Sequence, residues 1–262
     1  MKVRIKFRKN GSMRFVGHLD IMRYFQKALR RAGIDVAYTE GFSPHQIMSF
    51  AAPLGVGLTS DGEYMDIEVR SAMPSAASVE ALNGAMADGM EIASFVALRE
   101  GSKKAMTAVA AADYIVYFKK REDFAQSDLP GMIRAYYTER EQIEIVKQSK
   151  KSERIIDLKP LIYRFEPYAD EDDGRLPLDR VLSVFPDRRG FFLRLCTGST
   201  DNIKPELVLS DFYSYFGREY DPFNLQIHRL EVYERVDGMF SPLDAAGNLI
   251  ENDRNRENGA CA

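Results

Sequence analysis

Apolar and polar residues alternate at the start of the chain, where Val3, Ile5 and Phe7 interleave with Lys2, Arg4, Lys6 and Arg8. A period of two marks a strand with one buried face. The period lengthens in HLDIMRYFQKALRRAG. There Leu19, Met22, Phe25, Leu29 and Ala32 recur at helical spacing, which predicts a helix that stops at Gly33 after a basic last turn. An extended segment is expected at Gln46 to Ala51. After a glycine-rich connection comes a strand at Tyr64 to Val69, where Met65, Ile67 and Val69 alternate with Tyr64, Asp66 and Glu68. SVEALNGAMADG predicts a short helix ending at glycine, and Met90 to Leu98 another alternating strand.

Read in order, residues 1–98 spell βαββαβ, the split βαβ or ferredoxin-like arrangement. The second half repeats that order more loosely. Asp113 to Phe118 is strand-like, Asp128 to Thr138 is weakly helical, and Gln142 to Lys147 with Arg154 to Arg164 forms an extended hairpin. Gly190 to Cys196 is a strand, Pro205 to Phe216 a helix with proline in its first turn, and Leu225 to Glu234 a final strand. The expected fold class is α+β, with tandem ferredoxin-like domains built on antiparallel sheets. The domains would be 1–100 and 113–237, joined by a small, polar linker at 101–112. The stretch 238–262, rich in Asn, Gly and Asp, is expected to be a partly disordered tail.

With 262 residues and 45% apolar side chains, the chain can fill two modest cores. No apolar run approaches the roughly 20 residues of a membrane helix, and MKVRIKFRKN does not lead into a signal-peptide core, so no membrane and a cytoplasmic location are expected. Cys196 and Cys261 support neither a disulfide framework nor a thiolate metal site, and no metal is expected. A net charge of -3 argues against indiscriminate coating of nucleic acid, which needs many Lys and Arg contacts. The charge is unevenly spread, however. The first fifty residues carry ten Lys and Arg against Asp20, Asp35 and Glu40, and the next fifty reverse the sign.

The densest polar cluster is Arg14, His18, Asp20 and Arg23, at the junction of the first strand and helix. Backbone N–H groups at a helix start attract an anion such as phosphate, which Arg14 could grip in bidentate fashion; equally, His18 and Asp20 suit a helix N-terminus without any ligand. Arg23, Lys27, Arg30 and Arg31 form a basic helix stripe, an electrostatic footprint for RNA or simply a solvated face. The basic strand is a weaker candidate, because Asp66 and Glu68 on a neighbouring strand would neutralise it; Tyr64 and Phe95 are its only aromatic candidates for an open face. His45 in GFSPHQ could act with His18 as an acid and base pair, or be an ordinary loop residue, and His228 reads as structural. APLGVGLTSDGE matches no phosphate-loop or dinucleotide pattern and reads as a hairpin or bulge. In the second half, Asn202, Lys204 and Glu206 flank the proline that starts a helix, and Asp157 and Lys159 close an extended segment; both sets could meet a polar ligand.

MRFVGHLDIMRYFQKALRRAG (13–33) and YTEGFSPHQIMSFAAPLGVGLTSDGEYMDIEV (38–69), with IIDLKPLI (155–162) and NIKPELVL (202–209), resemble the radical SAM-linked protein family. The resemblance implies a chain that works beside a radical SAM protein in an RNA or translation setting, with no reaction assigned to the family itself. The Cys-x-x-x-Cys-x-x-Cys motif of a radical SAM enzyme is absent here. S-adenosylmethionine and the iron-sulfur cluster are therefore expected only in the partner, with no cofactor bound by this chain. The expected function is an accessory, substrate-presenting module for RNA or an RNA-linked substrate. Two other readings stand beside it: a metal-independent RNA endonuclease using His18 and His45, and a protein-only structural adaptor.

Overall fold

A computed structural model describes residues 1–119, 127–148, 153–169, 189–198 and 201–251. Two compact units emerge, Met1–Ala110 with Glu231–Ala262, and Ala111–Leu230. Both are mixed α/β units dominated by antiparallel strand pairs.

The first unit runs β1 (Lys2–Lys9), α1 (His18–Arg31), β2 (Met48–Phe50), β3 (Thr59–Glu68), α2 (Ser75–Ala85) and β4 (Met90–Leu98), the βαββαβ order that the periodicity predicts. A short helix α3 (Ala105–Ala108) precedes β5 (Val109–Phe118). Strand β1 pairs with both β3 and β4, and β2 pairs with β3, always antiparallel. Val3, Ile5, Phe7, Met65, Ile67 and Phe95 are buried on the face covered by Ile21, Phe25 and Leu29 of α1. Each such side chain contributes about 1.5–3 kcal/mol on leaving water. Helix α1 ends as Gly33 predicts. With φ of +68°, Gly33 donates to Arg30 O and Ile34 donates to Leu29 O, the paired closure of a Schellman turn.

The second unit begins with the rest of β5. It continues through α4 (Leu129–Ile133), extended by a π-helical turn at Arg134–Thr138, then β6 (Glu144–Gln148), β7 (Glu153–Asp157), β8 (Ile162–Ala169), β9 (Arg189–Cys196), α5 (Pro205–Tyr215) and the first half of β10 (Leu225–Val236). Its sheet has the order β10-β5-β9-β8, while β6 and β7 form a separate two-stranded hairpin. Gly190 is required here, because a Cβ at that position would lie 1.8 Å from Val116 O on the paired strand. The core is aromatic: Phe165, Phe191 and Phe212 meet edge to face at 5.3–5.6 Å, and Tyr136 packs on Phe212 at 5.2 Å.

Several expected segments differ from this structure. The single extended segment Arg154 to Arg164 is broken at Lys159–Leu161, where Pro160 sits in a 3-10 turn, and β8 beyond it joins the main sheet. The expected linker contains α3 and the start of β5. The expected tail returns to the first unit as β11 (Met239–Pro242), a 3-10 turn at Leu243–Ala246 and β12 (Gly247–Leu249), which pair with β10 and β4; residues 252–262 lie outside the described residues, as does Cys261. Among the described residues no helix is long and apolar enough to cross a membrane.

That returning segment closes the other face of the first sheet, so its basic strand is not an open surface. Arg4 is fully buried; it holds Asp66 through two nitrogens at 2.7 and 3.0 Å and donates to Leu243 O and Lys103 O. Lys6 pairs with Glu231 at 2.5 Å, and Arg8 with Glu91 at 2.6 Å. Tyr64 and Phe95 do not share a face. The Tyr64 hydroxyl lies 2.7 Å from Glu231 and 3.2 Å from Asp244, while Phe95 opposes Ile5 in the helix-covered core.

Candidate functional site

The rows of core-facing residues on β1 and β3 each end in a charge. On β1, Lys9 follows Val3, Ile5 and Phe7; on β3, Glu63 precedes Met65 and Ile67 and stands opposite Phe7. Lys9 is 3% exposed and Glu63 5%. Such residues are almost never fully buried without compensating partners. Lys9 Nζ donates to Val16 O at 2.8 Å. Burial pulls its pKa below the ordinary lysine value, opposed by the nearby Glu63 carboxylate.

Helix α1 starts above these two charges. His18, its first residue, is half-buried, and its ring meets Phe50 edge to face at 5.2 Å. Lys9, His18 and Glu63 line a small cleft with Phe7, Ile21, Phe50, Pro53 and Leu54, leaving a cavity of about 20 Å³. The two long sequence runs at 13–33 and 38–69, separate along the chain, thus meet here through His18 and Ile21 on one side and Phe50, Pro53, Leu54 and Glu63 on the other. Sequence reasoning missed Lys9 and Glu63, although both were visible as charges placed where the alternation calls for apolar residues.

The outer face of α1 is a different surface. Arg23, Lys27, Arg30 and Arg31 are exposed and, with Asp20 and Tyr24, line a shallow open depression. Asp20 pairs with Arg23 at 3.2 Å, but both side chains are well exposed, where such a pair is worth little. Arg30 Nε donates to Gln26 O, and Tyr24 is tied to Met86 and Ala87. Arg14 lies on the preceding 3-10 turn with its guanidinium 4.8 Å from the exposed Phe15 ring, and its carbonyl accepts from Gly57 N.

His45 is not joined to His18 by any hydrogen bond or ring contact. It belongs to an exposed loop, where its Nδ1 and backbone N–H both lie 3.1 Å from Thr39 Oγ1. In the second unit, Lys204 caps α5 without a side-chain hydrogen bond, Glu206 lies in its first turn, and Asn202 bridges to Thr197. A groove beside them is lined by Arg154, Ile155, Asp157, Pro160, Asn202 and Ile203, so the runs at 155–162 and 202–209 converge there, although Lys204 and Glu206 do not line it. Asp157 is engaged in the fold, accepting from Ile143 N and Lys159 N at 2.8 and 2.9 Å, and Lys159 donates to Tyr137 O. His228 is buried in β10. Among the described residues no group of three or more His, Cys, Asp or Glu could hold a metal.

The fold and these sites define an α/β chain of two sheet-based units with a basic helix face and a charged internal cleft on the first. The chain belongs to the bacterial family described as uncharacterized protein conserved in bacteria (DUF2344), whose model matches residues 2–205. No curated protein matches it. Among solved structures it is similar to a chain in the crystal structure of a Cbf5-Nop10-Gar1 complex, with 11% identity and a TM-score of 0.45; the match covers 93% of this chain and 61% of that one.

Proposed function

We propose that this chain is a non-catalytic, substrate-presenting module that works in the cytoplasm with a radical SAM protein and holds RNA, or an RNA-linked substrate, on the outer face of α1. The observation that carries the reading is that face itself: four solvent-exposed cations on two turns of α1, with Asp20 the one acid lining the same depression among the described residues. At 1.5 Å per residue, Arg23, Lys27 and Arg30–Arg31 are spaced about 6 Å apart along the axis, a run of point charges that suits a polyanion better than a single small anion. The radical SAM partner rests on the family resemblance. The two units are read as copies of one ferredoxin-like plan, supported by β2 and β4 flanking the β3–β1 pair in the first as β8 and β10 flank β9–β5 in the second.

Charge reversal tests this directly. Arg23→Glu/Lys27→Glu/Arg30→Glu is expected to weaken binding of a single-stranded RNA at least tenfold and to flatten the dependence of log K on log salt by about two, from roughly 0.7 per lost contact. Absence of salt-sensitive RNA binding in the parent chain would leave the protein-only adaptor instead. Co-expression with the neighbouring radical SAM protein is expected to yield a complex whose activity needs this chain, and a fully competent partner without it sinks the accessory role.

A further inference from the structure

Why are Lys9 and Glu63 kept at core positions? Two well-packed apolar side chains would spare the cost of taking an amine and a carboxylate out of water. The surroundings answer in chemical terms. One N–H of Lys9 is fixed on Val16 O, which orients the amine. The walls of Phe7, Ile21, Phe50, Pro53 and Leu54 desolvate the amine and lower its pKa, against the nearby Glu63 carboxylate, which shifts Lys9 towards the nucleophilic form used in amine catalysis. The cavity of about 20 Å³ exceeds the 10–15 Å³ that one water needs but suits only the tip of a ligand. Half-buried His18 lines the same space and reaches towards solvent, so protons can leave and enter.

We propose that this cleft is a covalent site, independent of the basic helix face, in which Lys9 condenses with the carbonyl carbon of a small aldehyde or ketone, with Glu63 and His18 as its proton carriers. The Lys9 nitrogen forms a bond to the carbonyl carbon and gives up a proton, and the carbonyl oxygen takes one to become the hydroxyl of a carbinolamine. A second proton, from His18 or Glu63, lets that hydroxyl leave as water while the nitrogen lone pair closes the C=N bond. Nothing is oxidised or reduced, and added water reverses the step.

The test is reductive trapping on the full chain, with glycolaldehyde as probe and sodium cyanoborohydride as reductant, followed by peptide mapping. The expected result is an adduct at Lys9 that forms at least tenfold faster than at exposed Lys27. Lys9→Arg should remove it, and His18→Asn and Glu63→Gln should slow it severalfold while the circular dichroism of the chain stays that of the folded parent. Labelling of Lys9 no faster than that of Lys27 overturns the proposal. So does an unchanged Lys9 rate in both His18→Asn and Glu63→Gln, which read the site even if Lys9→Arg does not fold.

Discussion

On one face of the first unit's sheet, fully buried Arg4 is met by Asp66, Leu243 O and Lys103 O, and Lys6, Tyr64 and Ser94 by Glu231 and Asp244. On the other, Lys9 has one backbone acceptor and faces a cavity that Glu63 and His18 also line. The same strand therefore buries charge in two ways. Where each donor finds an acceptor from a segment far along the chain, the charges hold the fold together; where the group is only oriented and space adjoins it, the arrangement is suited to act on something else.

The largest expected effect separates these two roles. Arg4→Met strands Asp66 beneath the returning C-terminal segment and should cost about 3–5 kcal/mol in urea unfolding. Lys9→Met/Glu63→Met, which removes both buried charges from a cleft lined by Phe7, Ile21 and Phe50, should lower stability by no more than about 1 kcal/mol while abolishing aldehyde trapping. Equal losses in the two variants would erase the distinction.

A middle-sized effect tests the closed face alone. Tyr64→Phe leaves Glu231 and Asp244 without their shared hydroxyl, at a cost of about 1–3 kcal/mol. Burial, then the two carboxylates, push the Tyr64 hydroxyl far above the usual tyrosine range. The folded protein thus keeps a proton that an unfolded tyrosine loses near pH 10, so the contribution is complete below about pH 10 and fades as pH rises beyond it. Alkaline titration of tyrosine absorbance should show this group ionising only on unfolding, with Tyr136, raised by burial and Asp211, behaving alike in the second unit. Ionisation of every tyrosine at ordinary pH without loss of fold would contradict this.

Local order was legible in the sequence wherever one physical rule acted alone. The period of two in β1, the helical spacing of α1 and the glycine stop at Gly33 each follow from neighbours along the chain. What escaped was set by distant segments. Asp66 was legible as a cross-strand counter-charge for the basic strand, but the burial of Arg4 was not, because Lys103 O and Leu243 O come from distant places in the chain, and residues 239–249 looked like a tail because their polar composition hides the strand pairing with β4 and β10. The candidate site was half visible. His18 stood out as an imidazole at a helix start, but Lys9 counted only among the basic residues of the first fifty and Glu63 fell in the glycine-rich connection, and only the register of β1 on β3 shows that they face inward.

The smallest effect concerns the exposed helix face, where charge is neither locked nor enclosed. Asp20 is the one acid among Arg23, Lys27, Arg30 and Arg31, and it lies in the first turn of α1. Its carboxylate favours the helix through the dipole by about 0.3–1 kcal/mol, and its exposed pair with Arg23 adds little. Asp20→Asn should therefore lower stability by no more than about 1 kcal/mol. The same change removes the one acid lining this depression among the described residues, so RNA affinity should rise a few-fold at low salt and the gain should shrink as salt screens it. Stability and binding are expected to move in opposite directions. A variant that loses both would mean that Asp20 orders the face for its ligand instead of opposing it.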